Sequence, residues 1–557
     1  MFRENASHNQ GLLFGFETHL SPSRQKELES SSGYFFYQEI FSKIEESAYS
    51  VLYSSKKSAP NSPVNQLVGA IVLKHLYDWT DKELFSQLSF NMETRLSLGV
   101  MNMNTSLFTA RTFYNFKTRL QTYHKETGIN LLEQTFKTLT SLQLSELDIS
   151  GTIQRFDSVQ LQSNIKKYTR LGLLVEVLSQ LLGILDETDI NNLKEIQTEY
   201  KLGGQKYVYG VVPSEFSTHL EKISIAYHQV AQYLSSLPKK YELEEKYQNF
   251  QRIYKEHFEE TKLKASKEVG SDSLQSPNDP QASFHRKQGE DYQGYVLGAS
   301  EIAVEEGKPN LITDVKIRTN NTSDAELTAE TFKQVQQITP NVEEFHMDGA
   351  CGSSELDQLA NQEDKPVVTL VQTAISGKKA EVEIIVEKTD DAQFKVSCPN
   401  PKQPPVIAVL VNEQTRSHKA VFNLEICQTC PFKDKCYAFK NTSKKKNTAS
   451  FYFDKGFHLR RKRHKNQQKI PKERKMLRAG VEATMRLFHR GENNNGKLRI
   501  TGLFNTQLYG IAMAIAINFE RIWKNSIAFS DIFAFLNTQA FIITPERKKL
   551  YGLVLRS

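Results

Sequence analysis

The sequence predicts a multidomain α/β protein, and three observations carry that prediction. A chain of 557 residues exceeds one compact core, so at ~150 residues per unit three or four structural units are expected. Apolar residues recur at helical spacing over about 60–146, whereas short β-branched runs begin near residue 149. Farther on, strand-like runs alternate with a helical segment, the pattern of a sheet whose ligand site lies at the carboxyl ends of its strands. Composition agrees: 39% hydrophobic residues, 24% charged residues, 27 Gly and 17 Pro exclude collagen-like, wholly disordered and membrane-embedded classes.

The opening, residues 1–60, is an N-terminal extension whose first ten residues lack the apolar run of a signal peptide. Five cysteines in the whole chain are too few for a disulfide framework, so a reducing cytoplasm is expected. Residues 61–146 form a helical unit, and a candidate for DNA contact: Val64, Leu67, Val68, Ile71, Val72 and His75 keep helical spacing, and the Asp81 after Thr80 fits an N-cap. The run Thr109 to Tyr123 mixes aromatics with Arg111, Lys117 and Arg119, fitting either a helix in a DNA groove or a core helix with a basic outer face.

Strands are expected at Ile149 to Phe156, Tyr295 to Val304 and Leu311 to Arg318. Between the first two lies an insertion, 171–284, made of a charged helical segment from Leu171 to Thr261 and a polar, turn-rich flexible loop from Ala265 to Gln293. A helix from Ser323 to Gln337 and strands at Glu343 to Met347 and Pro366 to Gln372 complete a core built from 147–170 and 285–380. Strands at Glu381 to Val386 and Gln393 to Val396 open a cysteine-bearing insertion, 381–450, and 451–557 holds a basic segment followed by helices. Leu503 to Phe519 is apolar for 17 residues only if Asn505, Gln507 and Asn518 are counted, short of the ~20 needed to span a bilayer. It reads as a buried helix, with Trp523 as core.

The formal charge of +7 is unevenly spread: Lys433 to Lys475 holds 16 Lys or Arg against Asp434, Asp454 and Glu473, so 16 − 3 = +13, and the rest carries 7 − 13 = −6. Such a block, with Arg460, Arg461, Lys462, Arg463 and Lys465 at its densest part, suits a phosphate backbone; the alternative is a solvated face.

Two aspartates stand where strands should end. Asp157 closes Ile153 to Phe156, and Asp348 closes Glu344 to Met347 before the turn Gly349-Ala350-Cys351-Gly352. Carboxylates converging at strand ends bind hard divalent cations through oxygen; an Asp there also serves as a cap or turn former. A third carboxylate is expected from a helix facing the sheet. Glu482 in LRAGVEATMRLFHR qualifies, while Glu473 beside Pro471 fits a first-turn helix charge. His346 would share a strand face with Asp348 and is read as a packing residue, and His285 and Lys287 as solvated loop.

These segments together resemble the DDE transposases of bacterial insertion sequences. QLVGAIVLKHLYDWTDKELFSQLSFNMETRLSLGV is similar to their N-terminal region, RFDSVQLQSNIKKYTR to the first catalytic motif, FHMDGACGSS to the second and RAGVEATMRLFHR to the third. The resemblance implies a ribonuclease H-like mixed sheet flanked by helices, preceded by the helical N-terminal domain and interrupted by the two insertions. It implies Asp157, Asp348 and Glu482 as catalytic ligands of Mg²⁺ or Mn²⁺. It also places Asn164, Lys167, Arg478, Lys475 and His489 at DNA, with Arg460, Arg461, Lys462 and Arg463 beside the site. The order and spacings, 348 − 157 = 191 and 482 − 348 = 134, fit the family with an inserted subdomain before the Glu. Two positions depart from it: Lys475 stands where relatives carry Tyr, and His489 where they carry Lys, so a cation is exchanged for a group neutral above a pKa of ~6.5.

Cys398, Cys427, Cys430 and Cys436, with Cys351 left over, fit a tetrahedral Zn²⁺ site or two pairs of reduced thiols. A branch of the resembled transposases carries similar clusters, which favours structural zinc. The function implied is metal-dependent cutting at the ends of an insertion sequence and strand transfer to target double-stranded DNA. A homodimer in a synaptic complex, a bacterial cytoplasmic, nucleoid-associated location and no membrane partner follow. The rivals are a decayed transposase-derived DNA-binding protein and a metal-dependent nuclease without strand transfer.

Overall fold

The computed structural model describes residues 1–540 except 10–18, 57–58, 238, 261, 288, 304–305, 363, 374–381, 390–392 and 414–416, with side chains to 527. Val304 and Glu381, at the margins of two expected strands, lie outside the described residues.

The N-terminal third is helical, from Pro22–Glu29 and Ser32–Glu39 through Val64–Leu76, Asp81–Phe90, Ala110–Thr127 and Leu131–Glu146. Thr80, rather than Asp81, caps its helix: its hydroxyl accepts from Glu83 N while the Glu83 carboxylate accepts from Thr80 N. That reciprocal pair satisfies two of the donors a helix start leaves orphaned. Asp81, one residue on, instead pairs with Lys74 at 2.5 Å and accepts from the Tyr114 hydroxyl. The helix Ala110–Thr127 buries Phe113, Phe116 and Leu120 and leaves Arg111 exposed.

β1 (Ile153–Gln162) then enters the sheet. It starts four residues after the expected strand and runs six beyond it, because Leu161 and Gln162 still pair with Tyr295 and Gly294. Helices from Arg170 to His257 follow and close on the hairpin β2 (Phe258–Glu259) and β3 (Lys262–Leu263). They pack around Leu174, Leu178, Tyr227, Val230 and Phe250 as an apolar cluster of their own.

The segment expected to be a flexible loop is instead held inward. It contains β4 (Ser283–Lys287) and the start of β5 (Glu290–Ile302). Its buried Asp279 accepts from the Ser163 and Tyr295 hydroxyls and from Gly502 N. Polar residues that looked suited to solvent are spent on internal hydrogen bonds.

The large sheet is completed by β6 (Ile312–Thr319), β7 (Glu344–Asp348) and β8 (Thr369–Thr373). Its order is β4-β5-β1-β7-β8, with β6 also on β5. β1, β7 and β8 run parallel, and β5 is antiparallel to β1. The cap Ser323 starts the helix Asp324–Ile338, which covers one face.

Two smaller sheets follow. β9 (Ile385–Lys388), β10 (Phe394–Ser397) and β11 (Val406–Ile407) form one, and β12 (Val409–Asn412), β13 (Ser417–Asn423), β14 (Thr442–Ser443) and β15 (Thr448–Asp454) the other. The basic helix Phe457–Lys469, a short turn of helix at Lys472–Lys475 and the Glu482 helix Ala479–Leu487 lead to the long helix Leu503–Ala540.

That last helix is buried from Leu508 through Phe519, as its apolar run requires. It shares one apolar core with the N-terminal helices and the sheet, through Val68, Ile71, Leu297, Ile317, Ala512 and Ile515. Each such side chain stabilises by roughly 1.5–3 kcal/mol on burial. Among the described residues no helix is long and apolar enough to cross a membrane.

Candidate active site

The register of two parallel strands brings the aspartates together. β1 pairs with β7 as Ile153↔Glu344, Gln154↔Phe345 and Arg155↔His346, a constant offset of 191 residues, which is also the separation of Asp157 and Asp348. Asp157 and Asp348 each lie two residues beyond the last pair, Arg155↔His346, on that same offset. The two-residue side-chain period puts both on the face that carries Arg155 and His346. Asp348 ends β7 as expected, and its carboxylate accepts from Gly349 N at 2.7 Å. Asp157 does not end a strand. It lies in mid-β1, opposite Ala299 of β5, because β1 outlasts its pairing with β7. Asp157 also accepts from Ser158 N at 3.0 Å. Burial raises its carboxyl above the usual range, and the Arg478 guanidinium pulls the other way.

Glu482 arrives on the helix Ala479–Leu487, which turns Val481, Thr484 and Met485 inward. Its own side chain stays 55% exposed. Arg478, one turn earlier, joins the motifs: it donates to Asp157 at 3.0 Å and to Glu482 at 3.4 Å. Burial disfavours its charge, yet the carboxylates of Asp157, Asp348 and Glu482 together hold its proton more firmly than usual. Glu473, the rival third carboxylate, is exposed. His346 is buried and bonds Glu344 at 3.0 Å, the packing role expected of it.

The donor set suits a hard divalent ion: carboxylates from three elements surround one cation, the Arg478 guanidinium, which bonds Asp157 and Glu482 and feels the charge of Asp348. Among the described residues, however, no three His, Cys, Asp or Glu side chains are placed to hold an ion. The chemistry fits Mg²⁺; the spacing adopted with Arg478 between the carboxylates does not yet close on it.

The basic residues divide. Asn164 and Lys167 follow β1 and are exposed, Lys167 donating to Asp291 O at 3.1 Å. Lys475 is half-buried on the approach to the Glu482 helix. His489 bonds Glu492 at 2.6 Å. In the basic helix Lys462 is exposed, Arg461 lies over the Phe457 ring at 5.3 Å, and Arg460 makes a two-pronged pair with Asp454 at 3.0 and 2.5 Å. Arg463 differs from the DNA-facing role expected of it. It is 8% exposed and paired at 2.9 Å with Asp357, which is fully buried. The reason is helical phase: Arg463 sits on the side of the helix that packs against Ser354–Leu359 and β8.

Cys427, Cys430 and Cys436 are buried and Cys398 is partly so, in and around the apolar cluster of Phe394, Val396 and Phe422. Burial pushes the Cys427 thiol up to about 11, and Cys398, Cys436 and Cys430 are close enough to add to it. The four therefore share one neighbourhood, as zinc ligation requires, but no three of them are placed around an ion point.

Arg155, Glu301, Thr484 and Arg521, a buried polar cluster under the Glu482 helix, escaped the sequence reading. Only the basic residue two before Asp157 hinted at it.

Two stretches of the chain match known family models: residues 24–119 the Transposase domain (DUF772), and residues 397–523 the Transposase DDE domain. No curated protein matches the chain, and no solved structure does. The second stretch contains Arg478 and Glu482 and the first contains most of the N-terminal helices; both models are of transposases, and together they are consistent with a DDE transposase of an insertion sequence.

Proposed function

We propose that the protein is a DNA transposase that cuts at the ends of an insertion sequence and joins the freed ends to target DNA, using Asp157, Asp348 and Glu482. The observation that supports this reading is the shared offset of 191 between strand register and aspartates, together with Arg478, which bonds both Asp157 and Glu482. The mixed sheet with helices on its faces supports a ribonuclease H-like core for them.

Asp157, Asp348 and Glu482 would hold Mg²⁺ or Mn²⁺, whose charge would screen the phosphate and lower the pKa of a water or 3′-hydroxyl. The chain's own groups do the rest. Arg478 is placed to exchange its carboxylate partners for a non-bridging phosphate oxygen, since a guanidinium matches either group in two-pronged fashion. Exposed Asn164, Lys167 and Lys462 are the residues assigned to the duplex backbone; a phosphate contact by either lysine would release counterions, and one by Asn164 would add a hydrogen bond without neutralising charge. No covalent protein intermediate is required for in-line transfer.

The test is a reaction of purified protein with Mg²⁺ or Mn²⁺ on a plasmid carrying the gene's native flanks, with all new junctions sequenced. Paired cuts and joined products, both lost in Asp157→Asn while end-DNA binding persists, are expected. Cleavage retained by that variant sinks the assignment of the site. Cuts without joined products reduce the protein to a nuclease, and binding without cuts to a DNA-binding relative.

A further inference from the structure

The Glu482 helix has almost no length with which to fix itself: nine residues, Ala479–Leu487. Beside the apolar packing of Val481 and Met485, it is held by a buried carboxylate at the far end of β5. Glu301 is 0% exposed and lies directly opposite Arg155 on β1. Its Oε1 accepts from Arg155 Nε at 2.7 Å, and its Oε2 accepts from the Thr484 hydroxyl at 2.6 Å and from Arg521 Nη1 at 2.7 Å. Arg521 also donates to Thr484 Oγ1.

The other end of the helix is held by the same system, since Arg155 Nη1 donates to Leu477 O at 3.0 Å. Arg155 passes so close to the first turn that a Cβ on Gly480 would stand 2.1 Å from its Nη1. Thus the residue two before Asp157 grips the helix two residues before its start, and Glu301 grips it two residues after Glu482. In a helix, positions two apart point to nearly opposite sides, so the bond at Thr484 leaves Glu482 on the side away from Glu301, where it accepts from Arg478, the residue that also donates to Asp157.

We infer that Glu301, with Arg155, Thr484 and Arg521, is a positioning clamp that sets the distance and rotation of Glu482 relative to Asp157. None of the four touches the reacting atoms. A buried carboxylate with two guanidinium partners is a costly way to bind a helix if stability alone were the use, because apolar packing of the same volume serves as well. Its bonds are directional and fix the rotation of the helix, which apolar contacts do not. This inference rests on the proposed role of Glu482.

Two gentle variants test it. Thr484→Val keeps shape and removes two bonds, the one to Glu301 and the one from Arg521, whereas Gly480→Ala displaces Arg155. Two readouts are needed, hydrogen exchange of the 479–487 amides in the DNA-free protein and the Mg²⁺ concentration giving half-maximal cleavage. With the clamp weakened, protection of those amides falls about tenfold while that of β1 and the long C-terminal helix holds, and the Mg²⁺ midpoint rises about tenfold. Thr484→Ser restores both. A lowered melting temperature with unchanged exchange in 479–487 overturns the clamp, as does an unchanged Mg²⁺ midpoint in a variant whose exchange has risen. If the wild type itself does not cut, the assigned function fails, and the exchange arm still decides whether the clamp exists.

Discussion

The Glu482 helix and the basic helix before it are neighbours in sequence and opposites in how they use charge. The first keeps its ionic bonds underneath, at Arg155, Glu301 and Arg521, and shows a single acid, Glu482, on top. The second carries five cations between Arg460 and Lys465. Three of them are already paired: Arg460 with Asp454, Arg463 with Asp357 and Lys465 with Glu383. A buried cation is a structural bond whose loss strands its partner; an exposed one is available to phosphate. The count of charges in a stretch of sequence therefore bounds, and does not equal, the charge offered to DNA.

If that contrast is right, the largest effect comes from the exposed acid. Glu482→Gln should lower cleavage by ~10³-fold or more, equivalent to several kcal/mol of transition-state stabilisation, with the melting temperature unchanged, since 55% of the side chain faces solvent. A large drop in melting temperature would mean that Glu482 belongs to the fold and that the two helices do not differ.

Arg463→Ala comes next and acts on the fold. Removing it leaves the Asp357 carboxylate buried without its partner, at a cost of about 3–5 kcal/mol. The pH dependence has a definite sign. Burial already raises the Asp357 carboxyl above its usual range, and Arg463 opposes that rise. In the variant the carboxyl rises further and takes up its proton at a higher pH, which removes the buried charge. The stability lost to Arg463→Ala is therefore greatest near neutral pH and shrinks as the pH falls toward 5, measurable by urea unfolding at both values. A defect confined to DNA binding, with normal unfolding, would return Arg463 to the duplex.

How much of this was legible in advance follows from the range over which each signal acts. The three carboxylates lie in short contiguous strings, and strand alternation with turn residues marks where β7 ends, so local sequence suffices for Asp348 and Glu482. The position of Asp157 in its strand is not legible locally: the run Ile153 to Phe156 reads as ending at Asp157, but β5 supplies partners as far as Gln162, and only the long-range pairing reveals it. The clamp could not be read at all. Glu301 meets Arg155 across 146 residues, Thr484 across 183 and Arg521 across 220, and no periodicity couples such positions. Arg463 failed for a related reason: a helix composed almost wholly of polar residues carries no apolar stripe to reveal which side faces inward.

The smallest effect is the most diagnostic of the exposed class. Lys462 is exposed and, among the described residues, takes part in no ion pair, so Lys462→Ala should leave urea unfolding within ~0.5 kcal/mol of wild type. If it neutralises one phosphate of the bound duplex, its loss weakens binding nearly uniformly across sequences and lowers the slope of log affinity against log salt by about one. Arg463→Ala, measured on folded protein at the same salt series, should leave that slope where it was. The two substitutions remove the same formal charge one position apart, so net charge predicts the same slope change for both. Only burial separates them: the cation held by Asp357 releases no counterion from DNA, and the one in water does.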